Sequence, residues 1–168
     1  RVYEWSNNTW SQMGGDIDGE AAGDYSGFSV SLSSDGTRVA IGAWLNDGNG
    51  TSAGHVRVYE WSANTWSQMG GDIDGEAAGD FSGYSVSLSS DGTRVAIGAW
   101  GNDGNDGDDG DAGHVRVYEW SNNTWSQMGG DIDGEAAGDY SGGSVSLSWD
   151  GTRVAIGATG NDGNGSDA

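Results

Sequence analysis

Over residues 28–33 apolar and polar side chains alternate strictly, with Phe28, Val30 and Leu32 on one face and Ser29, Ser31 and Ser33 on the other. A period of two is that of a strand with one face buried. Asp35-Gly36 follows and predicts a two-residue hairpin turn, because Gly accepts the positive φ that such turns demand. A second strand is expected over 37–44 (TRVAIGAW), where Val39, Ile41 and Ala43 alternate with Arg38, Ala40 and Gly42 before the Gly/Asn/Asp loop NDGNGTSAG. The third, 55–61 (HVRVYEW), sets Val56, Val58 and Glu60 against Arg57, Tyr59 and Trp61. After the polar turn SANT a fourth strand, 66–70 (WSQMG), runs into a long loop, GDIDGEAAGD, and the pattern begins again. No window carries a helical period, so the chain reads as all-β with four strands per unit.

The unit recurs. RVYEWS starts at Arg1, Arg57 and Arg116, giving repeat copies 1–56, 57–115 and 116–168 at a spacing of 56 and then 59 residues. Each copy is too small and polar to bury its own apolar face, so the copies must pack on one another. Four antiparallel strands at this period are what a β-propeller blade requires. The chain then holds a trailing half-blade (1 to about 20), two whole blades (about 25–76 and 81–135) and a leading half-blade (about 140–168), with the frame cut in mid-blade. The two halves are complementary. With Arg1 in mid-repeat and no initiator Met, the chain is expected to be a mature fragment or a segment of a longer array.

Composition narrows the partners. The net charge is −20, with six Arg and no Lys, which disfavours polyanions: nucleic acid and anionic lipid surfaces are not expected partners. Cations, basic proteins or further copies of the repeat are. There is no Cys, and no apolar run approaches the ~20 residues of a membrane helix, so membrane insertion is not expected.

The strand–DG–strand unit resembles the inner hairpin of several propeller families, and more closely the FG-GAP repeat of the integrin α-subunit head and its microbial relatives. SGFSVSLS (26–33) places Gly27-Phe28 at the FG position and IGAW (41–44) resembles GAP, with Trp44 in the proline position. The pair recurs as SGYSVSLS with IGAW (82–89, 97–100) and as SGGSVSLS with IGAT (141–148, 156–159). The resemblance implies a bladed propeller, an extracellular or cell-surface setting and a binding or adhesive role. It does not carry the family's calcium loop across, because only the tight SSDGT turn joins the first two strands here.

Carboxylates recur in D-I-D-G-E-x-x-G-D: Asp16, Asp18, Glu20 and Asp24; Asp72, Asp74, Glu76 and Asp80; Asp131, Asp133, Glu135 and Asp139. Alternating carboxylates beside a Gly turn offer hard oxygens of the kind Ca²⁺ takes, while the same residues also serve to accept backbone N–H bonds and shape a solvated loop. A second acidic loop holds Asp103, Asp106 and Asp108, whose mutual repulsion a cation would relieve. Sequons at Asn7, Asn49, Asn122 and Asn164 fall in expected turns and are candidate glycosylation sites. Trp44 and Trp100 are candidate ligand or subunit contacts, but become Thr159 in the third copy, as Phe28 and Tyr84 become Gly143.

Enzymatic chemistry finds little support. The His residues, His55 and His114, occupy one repeated position, and no nucleophile–base–orienter set can be assembled. A glycosidase-like carboxylate pair ranks third, since near-identical copies argue against one unique centre. The expected function is a non-enzymatic extracellular structural or adhesion module joined through blade or half-blade contacts, in a propeller of about six to eight blades or a head-to-tail fibre. The alternative is a discrete glycan- or protein-binding propeller, with or without Ca²⁺.

Overall fold

In a computed structural model that describes residues 1–103, 110–163 and 165, the described chain is all-β, with fourteen strands and no helix. An N-terminal hairpin pairs β1 (Tyr3–Ser6) with β2 (Thr9–Gln12). The first full blade follows in order β3 (Ser29–Leu32), β4 (Arg38–Ala43), β5 (His55–Ser62) and β6 (Thr65–Gln68), with β7 (Ile73–Asp74) also on β5. The second repeats it as β8 (Ser85–Leu88), β9 (Arg94–Ala99), β10 (His114–Ser121) and β11 (Thr124–Gln127), with β12 (Ile132–Asp133) on β10. A last hairpin pairs β13 (Ser141–Leu147) with β14 (Val154–Ala158). Val39 faces Tyr59 in the first blade as Val95 faces Tyr118 in the second.

Two local expectations are corrected. The Asp-Gly segment is not a two-residue hairpin: Ser33 N–H donates to the Arg38 carbonyl, which leaves residues 34–37 as the loop. Asp35 rather than the glycine organises it, accepting from the Ser33 hydroxyl and from both the N–H and hydroxyl of Thr37. The segment after the fourth strand is not all loop either. Ile73 and Asp74 return to β5 opposite Val56 and His55, so the outer strand is broken in two rather than ended.

The two-residue turns lie one hairpin further out. Ser6 pairs with Thr9, and Asn7 and Asn8 both take positive φ (51° and 60°), the backbone that matches strand twist. Ala63-Asn64 and Asn122-Asn123 repeat it.

Blades pack through seams of one composition. Val2, Val39, Ile41 and Tyr59, with Met13, Ile17 and Trp66, join the N-terminal hairpin to the first blade. Val58, Val95, Ile97 and Tyr118, with Met69, Ile73 and Trp125, join the first blade to the second. Each seam is crossed by an indole N–H: Trp66 donates to the Met13 carbonyl at 2.8 Å and Trp125 to that of Met69 at 2.9 Å. Because β4 and β9 lie between seams, nearly every position in them is buried on both faces, which simple alternation does not foresee. The serine face of β3 is no solvent face: Ser29 donates to the Gly83 carbonyl and Ser31 accepts from Leu88 N–H of the next blade.

Candidate functional site

The repeat leaves two unfinished ends. At the C-terminal hairpin, β14 pairs with β13 alone, whereas β4 and β9 each have a strand on both sides. Arg38 pairs with Glu60 at 2.8 Å, and Arg94 with Glu119 at 2.8 Å, across the strand junction that β14 lacks. The next member of the arginine series, Arg153, is exposed and makes no such ion pair among the described residues. A cavity of about 420 Å³ opens beside it, lined among others by Val117, Met128, Ile132, Leu147 and Val154. In the finished seams the indoles of Trp61 and Trp120 lie where a Cβ on Gly14 or Gly70 would be, while nothing lies within 4 Å of that point at Gly129.

The N-terminal end has the converse. Glu4 occupies the position of Glu60 and Glu119 without an arginine partner, and Tyr3, Trp5 and Trp10 are exposed on a hairpin whose later copies are packed. Val30 is 63% exposed and Leu32 50%, although Leu88 at the same place in the second blade is buried. The reason is geometric. The apolar face of each first strand packs on the inner hairpin of the preceding blade, and β1–β2 brings no inner hairpin with it.

The acidic segments divide into three groups. Asp24, Asp80 and Asp139 are buried and fold their own loops: Asp80 Oδ2 accepts from the N–H groups of Glu76 and Ala77 at 2.9 Å, and Asp139 repeats this. Asp24 accepts from Ala21 N–H and the Asn46 amide. Asp18 and Asp74 offer backbone carbonyls to Arg57 and Arg116, and Asp16 is paired with Arg1. Asp133 lies in β12 opposite His114, while Glu135 Oε2 receives the Asn161 amide beyond the last hairpin at 3.4 Å.

The third group converges on the histidines. His55 begins β5 and is 1% exposed; its Nδ1, which has no hydrogen-bond partner, lies 3.8 Å from Glu20 Oε2 and 3.7 Å from Asp72 Oδ2. His114, equally buried with neither nitrogen partnered, faces Glu76 and Asp131 at 4.0 Å each. Burial pushes both imidazoles below their ordinary pKa, against the nearby carboxylates and with help from Arg57 and Arg116. The other oxygen of each carboxylate is occupied: Gln68 donates to Asp72 Oδ1 and Gln127 to Asp131 Oδ1, both at 2.6 Å, while Arg57 and Arg116 sit by Glu20 and Glu76 Oε1. Asp74, opposite His55 on β7, has its carboxyl raised by burial and then by Asp72.

Sequence spacing groups these carboxylates along the chain. The fold instead selects one Glu and one Asp from different segments and adds a histidine. The recurrence of His55 and His114 at one offset was the available signal, but only the return of β7 and β12 to the third strand brings the groups together. Asp103 is exposed at a loop; Asp106 and Asp108 lie outside the described residues, as does Asn164.

Asn7 and Asn122 are exposed at hairpin turns, as expected of sequons. Asn49 is engaged, its amide donating to the Gly75 carbonyl at 2.8 Å. Trp44 packs among Tyr25, Phe28, Phe81 and Tyr84. Trp100 stacks on Phe81 and also meets Tyr84 and Tyr140. Both indole nitrogens are buried without a partner. Beside Trp100, Gly143 and Thr159 leave a pocket of about 360 Å³ where the other copies carry large rings.

A comparison with curated proteins finds no match to the chain. Residues 17–59 match the family model of the FG-GAP repeat, a stretch that contains β3, β4 and most of β5. The same sequence recurs with few changes over 73–118 as the second blade. Residues 17–59 are thus similar to an FG-GAP repeat, a repeat of β-propellers, and the described chain lays that stretch and its second copy out as antiparallel four-stranded blades.

Proposed function

We propose that this chain is a non-enzymatic, extracellular structural and adhesive repeat module that joins to further copies of the same repeat by completing its half-blades. The observation that carries the reading is complementarity between the ends. The hairpin β1–β2 offers Glu4, Tyr3 and Trp10, and the β14 edge offers Arg153, an open apolar cavity and the clear space at Gly129. Superposing the internal junction on the ends pairs Val154 with Tyr3 and Arg153 with Glu4, in the register of Val39 with Tyr59 and Arg38 with Glu60. Trp10 then donates to the Met128 carbonyl as Trp66 does to Met13, and β13–β14 covers Val30 and Leu32.

The occupant is an adjoining repeat, on the same polypeptide or on a second copy. Between copies the contact is heterologous, so it propagates head to tail as a fibre unless the rotation closes a ring. An extracellular setting follows the usual habit of FG-GAP repeats. Light scattering on the isolated chain tests the reading: mass rises with concentration above that of one chain, and Trp10→Ala, which empties the slot of one large side chain, lowers the association constant about tenfold or more. A monomer at all concentrations, or association indifferent to Trp10, contradicts it.

A second reading, a discrete glycan- or protein-binding propeller, is favoured by the pocket walled by Tyr84, Trp100 and Tyr140. Under that reading a ligand quenches Trp fluorescence in the chain and not in Trp100→Thr.

A further inference from the structure

The strand junction between blades accounts for the open ends but leaves two buried histidines each with an unpartnered Nδ1. The imidazole of His55 is 99% removed from solvent, yet its Nδ1 points at two carboxylate oxygens too far away for hydrogen bonds, at 3.7 and 3.8 Å. A buried polar atom without a partner costs free energy, and the same arrangement occurs twice. The three atoms of each group lie within 4.8 Å of one another. Donors around a tetrahedral zinc ion stand about 3.4 Å apart, given bonds of about 2.0–2.2 Å, so closure asks for shifts of a few tenths of an ångström to about 1 Å.

We propose that Glu20, His55 and Asp72, and again Glu76, His114 and Asp131, each bind a divalent transition-metal ion of the zinc class, clipping the connector that enters a blade to that blade's third strand. Glu20 lies on the segment between β2 and β3, His55 opens β5, and Asp72 lies between β6 and β7. One ion thus ties three stretches that are distant in sequence.

Several features select this chemistry. An imidazole nitrogen suits zinc, copper, nickel or cobalt and is foreign to the all-oxygen shell of Ca²⁺. The His55 Nδ1, buried, without a hydrogen-bond partner and facing two carboxylate oxygens, is placed to offer a lone pair to a metal. Gln68 holds Asp72 by one oxygen and leaves the other facing His55, and Gln127 does the same for Asp131. Such outer contacts orient ligands in metal sites. Two carboxylates, Glu20 and Asp72, converge on His55 with the guanidinium of Arg57 beside Glu20 alone, an acidic surrounding that suits a cation. Three protein donors leave a fourth position for solvent.

The site does not depend on assembly, since all six residues belong to the two whole blades and their connectors. Calorimetric titration of the full chain with Zn²⁺ is expected to give two ions per chain at micromolar affinity or tighter, in wild type and equally in Glu4→Arg, which carries all six ligands. His55→Ala with His114→Ala removes both sites. Asp72→Asn with Asp131→Asn, at partly exposed positions that the fold tolerates, weakens binding at least tenfold while the far-ultraviolet circular dichroism is unchanged. Co²⁺ in place of Zn²⁺ gives visible d–d absorption of a four-coordinate nitrogen and oxygen shell, and a hundredfold excess of Ca²⁺ does not displace it. Absence of binding, a stoichiometry unmoved by both variant pairs, or ready displacement by Ca²⁺ overturns the proposal.

Discussion

At the scale of single residues, the aspartate of each SSDGT-type loop does more than the glycine beside it. Asp35 is held below its ordinary pKa of 3.8 first by Thr37 N–H and then by the Ser33 and Thr37 hydroxyls. Asp150 is lowered likewise, with the Ser148 hydroxyl leading. At Asp91, burial is the largest single influence and raises the value, but the bonds from Thr93 and Ser89 together outweigh it. A carboxyl whose folded pKa is depressed binds fewer protons than in the unfolded chain, so its contribution is complete above about pH 4 and is lost as pH falls through the folded value. The −20 charge acts the other way in acid, since protonation relieves repulsion elsewhere. The test is therefore a difference. Urea unfolding of wild type against Asp35→Asn, Asp91→Asn, Asp150→Asn together should show a gap at pH 7 that closes toward pH 2, whereas a gap independent of pH contradicts the role given to these carboxylates.

At the scale of elements, the central strands are set by what lies on both sides. A Cβ on Gly42 or Gly98 would run into the backbone carbonyl of Gly83 or Gly142, at the start of the following blade. At Gly157 the nearest atom is the Ser144 hydroxyl of a side chain, and no backbone carbonyl comes as close as those at Gly42 and Gly98. Gly98→Ala is expected to cost about 1–3 kcal/mol and Gly157→Ala less than about 1 kcal/mol, by thermal unfolding at dilution. Equal costs would mean that the blades do not pack this closely. The four strands and their blade frame were legible because alternation and turn residues are local, and because the copies repeat them. The break of the outer strand at Ile73 was not, since a two-residue return to β5 leaves no period. Nor was the packing of the serine face, where Ser31 meets a backbone N–H some 57 residues away. The acidic segments announced themselves by composition, but which carboxylate folds a loop and which faces a histidine depends on registry across strands.

At the scale of the whole molecule, the two packed seams and the two open ends share one set of residue types, and on the proposed reading each blade is completed by the repeat beside it. The seams bury Tyr59, Tyr118, Met69 and Ile73, while their counterparts at the ends, Tyr3, Met128 and Ile132, stay open to solvent. Such edges invite pairing, and under the proposal the charges specify the partner. The most direct test exchanges those charges between two chains. Glu4→Arg alone sets arginine against Arg153, and Arg153→Glu alone sets glutamate against Glu4, so each variant by itself should associate roughly tenfold more weakly than wild type. Mixed in equal amounts, every junction again joins an arginine to a glutamate. Light scattering should then show association recovering to near the wild-type level only in the mixture; two variants that associate like wild type alone, or a mixture no better than its parts, would contradict half-blade completion.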